Sequence, residues 1–292
     1  MTEKKPLKIA IASGKGGTGK TLLATNLAAW LAISESTLLV DLDVEEPNDF
    51  IFINGNTESI TDQFKMIPGW DASKCSLCGN CSAVCKYHTV VKLGTMIAVF
   101  DELCHSCYAC SELCPENALP MKPRKMGEIS NITAGNLTFL ESRLRVGEEQ
   151  AVPLINKTHS LVKNEFMNFT VQIFDCPPGT TCPVIAATKH TDFVILVTEP
   201  TPFGLNDLKL AVETIQQLKK PMGVVINRFG MGDQGVEEFC VNAGIPVLAR
   251  IPFSRKITGL YSSGTLVYDK IEGFDRAMKD IVQFIQKSIS NA

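Results

Sequence analysis

Residues 14–21 read GKGGTGKT, and they stand between a short apolar run, KIAIAS (8–13), and a longer run rich in helix formers, TLLATNLAAWLA (21–32). Strand, glycine loop and helix in that order are what a phosphate-binding loop requires. Gly14 and Lys15 open the loop. Gly16, Gly17 and Gly19, with Thr18 among them, let the backbone approach an anion and aim its N–H groups at it, while the helix N-terminus adds the positive end of its dipole. Lys20 is then placed to neutralise terminal phosphates, and the Thr21 hydroxyl to ligate Mg²⁺. A glycine turn without a ligand is the alternative, and the full spacing between a strand and a helix argues against it.

Further runs read as buried strands at 37–43 (TLLVDLD), 171–176 (VQIFDC), 192–200 (DFVILVTEP), 222–228 (MGVVINR) and 246–252 (PVLARIP). Helical stretches such as LNDLKLAVETIQQLKK (205–220) lie between the later ones. Short β-branched runs separated by amphipathic helices predict an α/β, doubly wound, mostly parallel sheet covered on both faces. The pattern breaks once, from about Pro68 to Pro120, where cysteines replace it. The expected organisation is therefore a nucleotide-binding domain over 1–66 and 121–292, with a small α+β module inserted over 67–120. KPRK (122–125) reads as a linker, followed by strands or loop returning to the main sheet. At the C-terminus Phe274, Met278, Ile281, Val282, Ile285 and Ile289 form a helical stripe. Its mixed-charge opposite face favours a helix docked on the domain over one lying on a membrane.

A chain of 292 residues with 45% hydrophobic content is long enough for one core and a satellite module. The net charge of −3 supplies no overall basic field for nucleic acid. The apolar run near the N-terminus is too short for a signal peptide or a membrane span, and no later run reaches the ~18 apolar residues of a spanning helix. The expected location is cytoplasmic, with no membrane insertion.

Eight of the eleven cysteines fall between Cys75 and Cys114. Without an export signal, such clustering predicts metal ligation in a reducing compartment. The first group is CxxCxxCxxxC at Cys75, Cys78, Cys81 and Cys85; the second repeats it at Cys104, Cys107, Cys110 and Cys114, followed by Pro115. This is the spacing of two [4Fe–4S] clusters, each wrapped by three thiolates of one repeat and completed by the fourth of the other. Cys75, Cys78, Cys81 and Cys114 would hold one cluster; Cys104, Cys107, Cys110 and Cys85 the other. Zinc also uses CxxC pairs, but two tandem runs of four favour iron–sulfur. Lys86 stands where proline would follow the first repeat, and its charge bears on that cluster's potential. Cys240, in an apparent helix, reads as inert core.

The loop GKGGTGKT, the two cysteine repeats, DCPPGTTCPV (175–184) and VTEPTPFGLNDLKLA (197–211) together resemble the deviant Walker A ATPases, the superfamily of MinD and the Mrp-type carriers, in a form with an inserted bacterial-ferredoxin-like module. The resemblance implies that Lys15 reaches a partner protomer's nucleotide across a dimer of like or related chains. It implies that Asp43 orients the hydrolytic water, Asp41 supports it, Asp175 is the Walker B or switch aspartate, and the Gly179 N–H approaches the γ-phosphate. It makes Asn227 the reader of adenine, with Arg228 beside it. Each strand-end aspartate, and the Asn227 turn, has the alternative of an ordinary cap or turn. Cys182 follows Asp175 at the offset of a bridging-cluster ligand in the nitrogenase iron protein, although no second such ligand is found and a packed or interface thiol is favoured.

The implied activity is ATP hydrolysis coupled to electron transfer or metal-cofactor assembly on a partner protein, with ATP, Mg²⁺ and two [4Fe–4S] clusters as cofactors. A cluster-carrier ATPase is the alternative, weakened by the absence of the carriers' C-terminal CPxC pair. A MinD-like positioning switch is the third, since a switch needs no electron path.

Overall fold

The computed structural model describes residues 5–290. The chain divides into two compact units, one formed by residues up to Ile60, Ile129–Arg143 and Ile155 onward, the other by Thr61–Glu128 with Leu144–Leu154.

The first unit is built on parallel strands. β1 (Leu7–Ala12) leads through the glycine loop into α1 (Lys20–Leu31), and β2 (Thr37–Asp41) follows. After the excursion through the second unit come β8 (Val171–Asp175), α5 (Cys182–Thr188), β9 (Phe193–Thr198), α6 (Pro202–Gln217), β10 (Met222–Phe229), α7 (Gly235–Asn242), β11 (Val247–Pro252), α8 (Arg255–Ser262) and α9 (Phe274–Ser290). With β3 (Asn56–Pro68), β6 (Met121–Ala134) and β7 (Leu137–Leu144), the sheet order is β11-β10-β9-β1-β8-β2-β7-β6-β3, and the pairs from β11 to β7 are parallel. β1 lies between β8 and β9, so the chain order reverses across it. That switch leaves a crevice at the strands' carboxyl ends, where open α/β sheets bind ligands.

The near-continuous apolar strands follow from burial on both faces. Ile9 and Ile11 of β1, Ile173 of β8 and Ile195 of β9 pack with Leu23 and Leu27 of α1 and with Met278, Ile281 and Ile285 of α9. The C-terminal stripe is thus docked on the domain, with Phe274 and Val282 also buried. Thr201 caps α6 by accepting from the Gly204 N–H at 3.0 Å, with Pro202 in the first turn where its missing N–H costs nothing.

The second unit contains the outer parts of β3 and β6, the short helices α2 (Asn80–Val84) and α3 (Ala109–Glu112), and α4 (Ala151–Glu165) begins there. Its own two-stranded antiparallel sheet is β4 (Val90–Leu93) with β5 (Met96–Val99), paired from Val90 with Val99 to Leu93 with Met96. Its apolar cluster is small: Cys81, Val90, Ile97, Cys110 and Leu119, with Trp70 partly buried against it. A core of that size is marginal alone, and units this small are generally held by metals or other cross-links.

Two expectations need correction. KPRK is not a linker but part of β6, hydrogen-bonded between β3 and β7 in the sheet. Lys125 pairs with Asp62, remote in sequence, at 2.6 Å and with Glu128, three residues on, at 3.1 Å, while Arg124 pairs with the remote Glu102 at 2.5 Å. The second unit also reaches beyond 67–120, to Thr61 and Glu128, and takes in Leu144–Leu154. The long strands are continuous, so no break in local pattern marks the division.

Candidate nucleotide and cysteine sites

At the carboxyl end of β1 the glycine loop is shaped by what crowds it. Gly19 has φ +100°, and a Cβ there would overlap the Asn227 amide; a Cβ on Gly14 would meet the backbone of Asp207. Asn227 is buried and donates from Nδ2 to the Thr18 carbonyl at 2.8 Å, which ties the end of β10 to the loop. Its Oδ1 accepts from the Arg228 N–H at 2.9 Å.

The loop opens on a cavity of about 370 Å³ lined by Gly16, Gly17, Gly19, Lys20, Thr21, Asp43, Asn227 and Arg228. Lys20 is buried and stands in no salt bridge among the described residues. Thr21 donates its hydroxyl to Asp175 Oδ2 at 2.9 Å, while Asp175 Oδ1 and Thr18 Oγ1 are buried with no hydrogen-bond partner. A buried cation lining the cavity, with no carboxylate paired to it among the described residues, is what a phosphate would complete.

The aspartates separate by position. Asp43 lines the cavity, and burial pushes its carboxyl up to about 6 against the opposing pull of the Lys20 ammonium. Asp41 is fully buried and accepts from the N–H groups of Asp43 at 3.0 Å, Asn48 at 3.0 Å and Asp49 at 3.2 Å. It shapes the turn that presents Asp43. Burial raises Asp175, opposed by Lys20 and Thr21. Asp49, which the sequence reading passed over, is buried beside them with both carboxyl oxygens lacking a well-formed hydrogen bond; burial and then the Asp41 charge hold its carboxyl well above the usual range. Four carboxyl groups gathered this closely favour the arrival of cations.

Other residues are placed differently from what their roles suggest. The Gly179 N–H is bonded to the Ser13 carbonyl at 3.0 Å. Lys15 lies 3.9 Å from Glu199, which also pairs with Arg228 at 2.7 Å. Arg228 has positive φ, 52°. Cys182 is exposed at the first residue of α5, and Cys240 is buried in α7 as expected. The far wall of the cavity comes from Phe253, Ser254, Ile257, Thr258 and Tyr261. Phe253 and Ser254 belong to the RIPFS turn that ends β11, and Ile257, Thr258 and Tyr261 to α8 after it.

In the second unit the eight repeat cysteines sort into two small cavities. One is lined by Cys75, Cys78, Cys81 and Cys114, the other by Cys85, Cys104, Cys107 and Cys110. The two repeats adopt the same backbone: Leu77, Gly79 and His88 in the first, and Ser106, Tyr108 and Asn117 in the second, all take positive φ at matching positions. Only one of the six is glycine, so side chains are held in a disfavoured region. The turns aim backbone N–H groups at sulfur: Leu77 N–H donates to Cys75 Sγ at 3.4 Å and Ser106 N–H to Cys104 Sγ at 3.5 Å. Among the described residues no three His, Cys, Asp or Glu side chains converge to seat a single metal ion.

Fold and loop together define a phosphate-loop α/β nucleotide-binding protein. The chain belongs to the CobQ/CobB/MinD/ParA nucleotide binding domain family, whose model matches residues 9–267. It is 29% identical over 258 residues to an uncharacterized protein of Methanocaldococcus jannaschii, covering 88% of this chain and 89% of the relative. It is 24% identical over 283 residues to an iron-sulfur cluster carrier protein of Pyrococcus furiosus, covering 87% and 77%. Among solved structures it is similar in fold to the septum site-determining protein MinD complexed with Mg-ADP from Pyrococcus horikoshii, with TM-score 0.60, 17% identity and 96% of each chain covered. No helix among the described residues is long and apolar enough to cross a membrane.

Proposed function

We propose that this chain is an ATP-hydrolysing iron–sulfur protein in which nucleotide state is coupled to electron transfer, or to metal-cofactor assembly, on a partner protein. The observation that carries the reading is the sorting of eight thiols into two four-cysteine cavities in a chain that also holds a phosphate loop. Zinc would require thiolates within about 2.3 Å of one point. Thiols ranged around a cavity suit the corners of a larger cluster.

Cys75, Cys78, Cys81 and Cys114 would hold one [4Fe–4S] cluster and Cys85, Cys104, Cys107 and Cys110 the other. When bound, these clusters supply one-electron redox chemistry. The loop N–H groups and Lys20 bind the phosphates of ATP, and Thr21 with Asp175 holds Mg²⁺. Asp43 orients the attacking water, and Asp41 braces the turn that carries it. Gly179 would need to leave the Ser13 carbonyl to meet a γ-phosphate. Asn227, its Nδ2 engaged with the loop, has remaining amide capacity for adenine, and Arg228 and Tyr261 line the same cavity.

Lys15 would act on the nucleotide of a second protomer, of like or related sequence, once released from Glu199. Lys15→Ala is expected to lower hydrolysis or dimer formation while leaving most of the monomer's nucleotide affinity. Wild-type behaviour in both turnover and sedimentation assays would remove the trans role.

The chain leaves for the second unit soon after Asp41, Asp43 and Asp49, and returns through α4 to β8, which ends on Asp175. Segments that contact a γ-phosphate shift when it is lost. The anaerobically purified protein should therefore hold about eight irons per chain, and MgATP should change the clusters' potential or chelator sensitivity relative to MgADP. Coupling of this type is typically ~1–3 kcal/mol. Bound zinc without charge-transfer absorption would defeat the cluster reading; nucleotide-independent clusters, alone and with a partner, would defeat the coupling.

The cluster-carrier alternative draws support from the carrier names of the Pyrococcus relatives. Iron passing from the loaded protein to an apo-protein would favour it. A cytoplasmic location fits either reading.

A further inference from the structure

The two cysteine cavities share a backbone, yet they are braced in different ways. Around the first, Leu77 lies between Cys75 and Cys78, and its carbonyl accepts from Lys92, an exposed side chain of β4. Local backbone bonds also reach sulfur there: Leu77 N–H donates to Cys75 Sγ at 3.4 Å and Ala118 N–H to Cys114 Sγ at 3.2 Å. Around the second, the carbonyl of Cys104 itself accepts two side-chain hydrogen bonds. One comes from Lys65 Nζ at 3.2 Å and the other from Gln150 Nε2 at 3.0 Å. The Lys65 side chain is 3% exposed, and its ammonium pairs with Glu148, 0% exposed, at 2.7 Å. Arg124 lies 3.7 Å from the second oxygen of Glu148. Ser106 Oγ donates to the Met66 carbonyl at 2.6 Å, next in sequence to Lys65.

We infer that Lys65, Glu148 and Gln150 form a clamp that positions Cys104 and makes its cluster electronically distinct from the one completed by Cys114. This rests on the iron–sulfur reading above. A carbonyl held by two donors fixes the χ1 origin of its own thiolate and withdraws electron density from the adjoining peptide, and hydrogen bonding and charge near a ligand tune a metal site. No counterpart exists on Cys75 among the described residues. Burial matters because a cation screened from water acts more strongly on its neighbours than the exposed Lys92 does. Two of the three clamp residues come from Leu144–Leu154, outside both cysteine repeats, which gives that segment's membership of the second unit a use.

Three variants test the clamp. Gln150→Leu removes one donor from the Cys104 carbonyl and leaves every charge in place. Lys65→Met with Glu148→Leu removes the other donor together with its counter-ion, so no unpaired buried charge remains. Lys65→Arg keeps the charge. Anaerobic redox titration followed by electron paramagnetic resonance resolves the two clusters.

The clamp requires that Gln150→Leu and the double variant each move the potential or the spectrum of one cluster and leave the other unchanged. Cys85→Ser, which removes the Cys104-side cluster, should abolish the signal that moved, and Lys65→Arg should restore much of the wild-type signature. Unchanged potentials and spectra in both variants, with wild-type iron content, would overturn the clamp, as would equal shifts of both clusters. A wild-type protein that takes up no clusters under reconstitution would instead defeat the reading on which it rests.

Discussion

Replacing Lys20 by Ala is expected to abolish ATP hydrolysis, with kcat falling by a factor on the order of 10²–10³ or more, the usual effect of removing a charge that stabilises a transferring group. The ammonium is buried at the head of α1, lines the cavity and has no salt bridge among the described residues. Its counter-charge in the folded chain is the diffuse field of Asp43 and Asp175, whose carboxyls it holds down against burial. Alanine leaves those carboxyls without their cation, so nucleotide affinity and Mg²⁺ placement should suffer with turnover. Lys20→Met, which keeps the aliphatic stem, separates charge from packing: it should melt near the wild-type temperature and remain inactive. Phosphate release within tenfold of wild type in either variant would mean that the loop does not act on a γ-phosphate.

The second large effect concerns pairing of the cysteines. Cys114→Ser and Cys81→Ser belong to different repeats but line the same cavity, together with Cys75 and Cys78. Each should lose one cluster, about four irons, and the double variant should lose no more than either single one. Cys114→Ser with Cys110→Ser stays within one repeat but touches both cavities, and should lose nearly all the iron. Anaerobic iron counting gives opposite patterns for crossed and uncrossed ligation. Near-complete loss from the Cys114/Cys81 pair, with half retained in the Cys114/Cys110 pair, would reverse the assignment.

Both effects trace to parts of the chain that could be read from local spacing. The phosphate loop was legible because strand, glycines, lysine and helix are consecutive, and the positive φ of Gly19 is a local requirement that no distant residue alters. The cysteine spacing led to two mixed sets of four, and the same sets line the two small cavities. The buried strands and the stripe of α9 were legible from period, which reports which face meets a core without naming what the core contains.

What could not be read was the identity of partners far apart in sequence. KPRK (122–125) read as a linker because the acids that Lys125 and Arg124 meet, Asp62 and Glu102, belong to other segments. Only the family resemblance separated Asp41 from Asp43 in the sequence; in the structure Asp41 braces the turn at Asn48 and Asp49, while Asp43 lines the cavity. Glu199 sits within the VTEPTPFG stretch but carried no role of its own in the sequence, yet it engages both Lys15 and Arg228. Lys65 and Glu148 are separated by the whole cysteine region, and a charged residue in an isolated stretch of sequence reads as surface. Local sequence determined the phosphate loop and the backbone turns of each cysteine repeat, because those geometries close within a few residues. Tertiary structure decided which charges are buried, and against whom, because desolvation and pairing depend on the other side of the contact.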